Sequence, residues 1–277
     1  MDARVAIKHG DFDVAGKMLD GKLRPYLKEE KHAKDLAYAL KIVINIVYGL
    51  TSAKFDNKFR DPRNKDNIVA KRGALFMIDL KHYVQEQGYN VAHIKTDSIK
   101  IPNADKDIID KVTAFGKWYG YDFEHEATYE KFCLVNDAVY VAKDGDAWSA
   151  TGAQFAHPVV FKRLFSKEDV MFEDYIEKKS VQKGHIWIKR GDDPLSFVGK
   201  ASQLIPVKES FKLAGVPLRV DDETGKEYAV AGTSGHLWAP AEMVSDVNDI
   251  DMSYFDKLVD DAIEKIETYG PYEDLVS

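Results

Sequence analysis

Apolar and polar positions along the first half of this chain alternate with helical spacing. Leu36, Leu40, Val43, Ile44 and Val47 recur at three- and four-residue steps, which predicts an amphipathic helix over about 32–49, after the charged segment KEEKHAKD. A second helix is predicted from Lys71 to Gln87, with Gly88 as its stop, and a third over 105–119. Short helical pieces at 2–9 and 12–20 are broken by Gly10 and Gly21, and DNKFRDPRNKDN reads as a polar loop. Two short apolar runs flank Asp97 in HIKTDSIKI, and FCLVNDAVYVAK reads as a strand. After KDGD the texture changes to the short β runs GHIWIKR, LSFVGKA, EYAVAG and GHLWAP, and a helix is predicted over 251–268. The expected class is α+β, with a boundary near residue 150.

Composition changes this picture little. A chain of 277 residues with 45% hydrophobic content can bury a sizeable core, as two domains or one domain with an appendage. The 39 Lys and Arg against 46 Asp and Glu leave a net charge of −7, which taken alone disfavours a nucleic-acid partner. The distribution matters more: residues 1–72 are rich in Lys and Arg, and the last thirty are acidic. A lone cysteine, Cys133, rules out an internal disulfide framework and a Cys-based zinc site. No apolar run approaches membrane length and the start lacks a signal-peptide core, so the expectation is a soluble, cytoplasmic protein with no membrane partner.

Two groups of polar residues stand out. Lys41, Asn45 and Tyr48 share one face of the predicted helix, and Lys34 extends the stripe. Lys can hold a phosphate and Tyr can offer a flat surface to a base or sugar; on spacing alone, the commoner account is a solvated helix face. Asp97 stands at the tip of a predicted hairpin, where a carboxylate can ligate a hard cation; on spacing alone, the commoner account is a turn Asp bonded to its own backbone. Elsewhere, GTSGH (232–236) reads as a turn between strands, the eight His show no metal-ligand spacing, and Cys133 reads as a core residue. Trp187 and Trp238 could stack on single-stranded DNA, though core packing is the commoner fate of such residues.

Taken in order, KIVINIVYG and KTDS resemble two of the three polymerase motifs of the family B (Pol α-like) DNA polymerases, with the texture of bacteriophage members. The first motif is a Lys, three residues, then Asn-Ser-x-Tyr-Gly on a fingers helix; Lys41, Asn45, Tyr48 and Gly49 match and Ile46 replaces the Ser. The second is Tyr-x-Asp-Thr-Asp-Ser on a palm hairpin; Thr96, Asp97 and Ser98 match, while His93 and Lys95 depart from it. Arg4 and Lys8 have the Arg-x-x-x-Lys spacing of the first fingers helix. LVNDAVY resembles the strand of the Lys-x-Tyr motif that holds the primer: Tyr140 matches, Ala138 occupies the Lys position, and Lys131 is the candidate substitute.

The resemblance implies part of a right-hand polymerase fold: helical fingers over 1–55, an antiparallel-sheet palm with the metal hairpin over 56–150, and a mixed thumb and C-terminal extension over 151–277. Lys41, Arg4 and Lys8 would hold the triphosphate of an incoming dNTP, and Asn45, Tyr48 and Gly49 would check the nascent pair. Thr96, Ser98, Tyr140 and Lys131 would contact primer-template DNA, and Asp97 would ligate Mg²⁺ in a two-ion site. The family's other essential carboxylate lies in an upstream Asp-x-x-Ser-Leu-Tyr-Pro motif that this sequence lacks; KLRPYL has no acid. The resemblance therefore implies a C-terminal portion that does not polymerise alone. The chain would be one product of a split gene, with an upstream polypeptide carrying the exonuclease and the missing carboxylate, or else a truncated or alternatively started fragment, in the setting of a viral protein in a bacterial cell. The alternative is a DNA-binding remnant without catalysis; a further one is a globular module whose matches are coincidental.

Overall fold

The computed structural model describes residues 2–277, the side chain of Lys65 excepted. The chain forms two compact units, the first ending at Phe123 and the second spanning Glu124–Ser277. Helices alternate with antiparallel sheets, in keeping with the α+β class. The expected boundary near residue 150 falls on a strand inside the second unit.

The first unit contains two separate apolar clusters. Helix α1 (Asp2–Lys8) stops at Gly10, whose φ of +77° favours a residue without Cβ, and α2 (Phe12–Met18) follows. A 3₁₀ turn, Arg24–Lys28, leads into the long α3 (Glu30–Thr51). Ala33 and Leu36 of α3 pack with Ala6, Ile7, Ala15 and Leu19 as the first cluster. Farther along α3 the periodic apolar set meets no comparable partner. Val43, expected in the core, is 57% exposed, and Ile42 and Ile46 are also exposed.

The second cluster joins α4 (Ile68–Glu86) to α5 (Lys106–Trp118) through Phe76, Met77, Leu80, Val84, Ile108 and Val112. Gly88, at φ +88°, closes α4 as the sequence predicts, and Asp105 caps α5 by accepting the Ile108 N–H at 3.0 Å. Strands β1 (His93–Lys95) and β2 (Ser98–Lys100) form a two-stranded hairpin whose Ile94 and Ile99 pack on this cluster.

In the second unit, FCLVNDAVYVAK is two strands rather than one. β3 (Lys131–Asn136) and β4 (Val139–Asp144) are joined by a tight turn in which the Asn136 carboxamide oxygen accepts the Ala138 N–H at 2.9 Å. β5 (Ala147–Thr151) completes this sheet. Two short helices follow, α6 (Ala153–Ala156) and α7 (Pro158–Phe161), and then β6 (Glu177–Ser180), β7 (His185–Lys189), β8 (Ser196–Gly199), β9 (Ala201–Val207), β10 (Val216–Val220), β11 (Glu227–Ala229) and β12 (Leu237–Pro240). These strands pair as one sheet ordered β11-β10-β7-β8 and another ordered β12-β9-β6.

Helix α8 (Met252–Glu267) lies across two clusters of this unit, burying Phe255 in one and Ala262 and Ile266 in the other; α9 (Tyr272–Val276) follows it. No helix among the described residues is long and apolar enough to cross a membrane.

The two tryptophans meet different fates. Trp238 is fully buried and its indole N–H donates to Thr233 O at 2.9 Å, so the GTSGH segment is a turn that satisfies a core side chain. Trp187 lies on the half-exposed face of β7, edge-on to Phe197 with ring centroids 5.0 Å apart.

Candidate nucleotide and nucleic-acid site

At the hairpin tip, Lys95 pairs with Ser98, leaving Thr96 and Asp97 as a two-residue turn. Thr96 has φ +53°, and the Asp97 N–H donates to Lys95 O at 2.7 Å, closing a γ-turn of the positive-φ kind. The Ser98 hydroxyl also donates to Lys95 O, at 3.2 Å. The Asp97 carboxylate does not cap its own backbone, as an ordinary turn Asp would. It is exposed and forms no hydrogen bond or ion pair with the described residues.

Along α3, Lys41, Asn45 and Tyr48 are exposed on one face, with Gly49 beside Tyr48. Lys41 and Asn45 bond to no described residue, whereas Lys34 is held by Glu30 at 2.7 Å. The phenol of Tyr48 donates to the Asn67 carboxamide at 2.7 Å. Asn67 precedes α4 in the left-handed conformation, φ +58°, which Asn tolerates better than most residues. A second tie runs from the buried Asn64 to the Thr51 hydroxyl at 2.7 Å. These two asparagines, which sequence reasoning left within a polar loop, fasten the end of α3 to the start of α4. A cluster of Asn and Asp after a helix was the available signal. A Cβ added to Gly49 would meet nothing within 4 Å.

Arg4 is half-buried and Lys8 exposed on α1, one turn apart. Thr96, Asp97 and Ser98 are therefore gathered on one hairpin, and Lys41, Asn45, Tyr48 and Gly49 on one helix, all within the first unit. Lys131 and Tyr140 belong to the second. The ammonium of Lys131 donates to Asp274 O at 2.8 Å, which ties β3 to α9, and the Tyr140 ring packs against Phe132 at 5.2 Å.

Among the described residues no three His, Cys, Asp or Glu side chains converge on a metal site. A two-ion centre needs several oxygen donors around each cation. One exposed carboxylate does not fit that requirement, and no metal-assisted step is assigned to this chain by itself. Cys133 is half-buried in β3, and burial raises its thiol pKa, as for an inert core thiol.

No protein-family model matches the sequence, and no curated protein does. Among solved structures the chain is similar to the family B DNA polymerase from the hyperthermophilic archaeon Pyrobaculum calidifontis. The identity is 15% and the TM-score 0.42, over 96% of this chain and 36% of that one.

Proposed function

We propose that this chain is part of a family B-type DNA polymerase, contributing a nucleotide-holding helix and one metal-binding carboxylate to a nucleotidyl-transfer site completed by another polypeptide. The observation that carries the reading is the Asp97 carboxylate, exposed at the tip of a γ-turn and bonded to none of the described residues, which leaves its oxygens available to a cation. The ordered motifs of α3 and the hairpin support it.

In this reading Lys41 holds the triphosphate, with Arg4 and Lys8 on α1 supplying further positive charge. Asn45, Tyr48 and Gly49 face the nascent pair, and Asp97 would be one of the residues that hold Mg²⁺, the others coming from the other polypeptide. Thr96, Ser98 and Tyr140 contact the primer-template. Lys131 enters as a primer contact through the donors of its ammonium that the bond to Asp274 O leaves over.

The test is template-directed extension of a labelled primer by this chain mixed with the product of the adjacent reading frame. Mg²⁺-dependent extension is expected from the mixture and not from either part, with Asp97→Asn reducing it at least about a hundredfold, the scale of losing an electrostatic catalytic group. Extension that survives Asp97→Asn refutes the role of Asp97. Primer-template binding that no partner converts to synthesis would favour a DNA-binding remnant.

A further inference from the structure

A second basic feature of the first unit takes no part in that site. Between α2 and the Arg24–Lys28 turn lies an open groove of about 380 Å³, lined by Phe12, Asp13, Gly16, Lys17, Arg24, Leu27 and Lys28. Its volume is that of a small-ligand site. Three cations and one carboxylate leave it a surplus of positive charge, and a concave wall concentrates such a field.

Two details say what this charge can hold. Lys17 and Lys28 are exposed and bond to no described residue, so their ammonium groups do no work within the fold. Arg24 is anchored through its Nε, which donates to Leu19 O at 3.1 Å and sets the guanidinium in the groove wall. The polar side chains of the wall are three cations and Asp13, a lining dominated by positive charge that matches phosphate oxygens first. Lysines on two separate elements beside a fixed arginine suit phosphates grasped without regard to sequence. Tyr26, half-exposed on the same turn, offers a ring to a neighbouring base.

We infer that this groove holds the phosphate backbone of a nucleic-acid strand, at a site separate from the α3 stripe and from Asp97. Contact is electrostatic and independent of sequence. Asp13, the one acid in the wall, weakens the grip and keeps it reversible.

Binding of a fluorescent single-stranded oligonucleotide is measured by anisotropy between 50 and 200 mM salt, for the unaltered chain and for Lys17→Ala/Lys28→Ala. Two lost phosphate contacts should make the slope of log K against log salt shallower by about 1.4, with roughly tenfold weaker binding at the lowest salt. Since neither lysine bonds to the fold, circular dichroism should be unchanged. A matched pair on α8, Lys257→Ala/Lys265→Ala, should keep the original slope.

Equal loss in that control pair, or an unchanged slope in the groove pair, overturns the proposal. So does displacement of the oligonucleotide by millimolar pyrophosphate or dATP as efficient as by unlabelled strand, which would make the ligand a free nucleotide. Strand binding is read on this chain alone, without Mg²⁺, dNTP or a partner, so a failure of the catalytic reading is separable from a failure of this one.

Discussion

Thr96 holds a conformation that costs most residues free energy. At φ +53° its Cβ crowds the backbone, and a β-branched side chain tolerates this worst. Positions so strained are held by their surroundings and collect at functional sites, at about 1–3 kcal/mol each. Thr96→Gly should therefore raise stability by about 1 kcal/mol in a urea titration, a gain reduced by the entropy that glycine loses on folding. A loss of stability would show that the turn is not strained. Tyr48 divides its parts in a similar way: the hydroxyl is spent on Asn67, while the ring stays 40% exposed. Tyr48→Phe should cost about 0.5–1 kcal/mol, as for an exposed hydrogen bond, and leave nucleotide affinity unchanged. A drop in affinity at constant stability would place the hydroxyl on the ligand instead.

Among elements, β6 is tied to its neighbours by a carboxylate. Glu177 accepts from His157 Nε2 at 2.8 Å and from the Tyr254 hydroxyl at 3.3 Å, and lies 3.3 Å from the Lys179 ammonium. His157 Nδ1 accepts the Val159 N–H, so the other ring nitrogen carries the proton that faces Glu177. Burial raises the carboxyl's pKa, but the His157 bond and the Lys179 charge outweigh burial and lower it to about 2. The Tyr254 phenol is driven far above its ordinary range, by burial first and then by the Glu177 charge.

A carboxylate lowered in the folded state stabilises above its unfolded pKa, and that stability is lost as pH falls through the folded value. The Glu177 contribution, about 3 kcal/mol by linkage, should thus be complete above about pH 4.5 and vanish toward pH 2. Urea midpoints measured across that window should fall for the unaltered chain and flatten for Glu177→Gln. Parallel curves would mean that other groups govern the acid limb. The network joins residues far apart in sequence, which is why no local pattern announced it.

On the scale of the whole molecule, residues Tyr121–Tyr129 run between the units without helix or strand and are largely exposed. Limited digestion with a glutamate-specific protease should cut first at Glu124 or Glu126 and release two resistant fragments of similar size. Earlier cleavage inside either unit would contradict the division. The proposed shared polymerase site also belongs here, because that proposal requires a carboxylate from another polypeptide. Extension by the mixture, reduced at least about a hundredfold by Asp97→Asn, is the outcome that proposal requires.

What the sequence by itself determined was whatever a few neighbouring residues decide. The helices over 30–51, 68–86, 106–118 and 252–267 follow from apolar spacing, and the stop at Gly88 from the freedom of a residue without Cβ. The hairpin around Asp97 and the turn at GTSGH were legible for the same reason: both are built from contacts a few residues apart.

Tertiary structure decided the rest, because partners distant in sequence settle which face is covered. Val43 has the spacing of a core residue, yet no element packs over it. Trp238 and Trp187 sit in similar β runs, and only the surrounding chain buries one and leaves the other half-open. Lys131 bonds to a carbonyl 143 residues away, and the basic groove exists only because the turn Arg24–Lys28 folds back beside α2. For Asp97, the sequence set the carboxylate on a turn; the backbone geometry of that turn left it unbonded and open to a ligand.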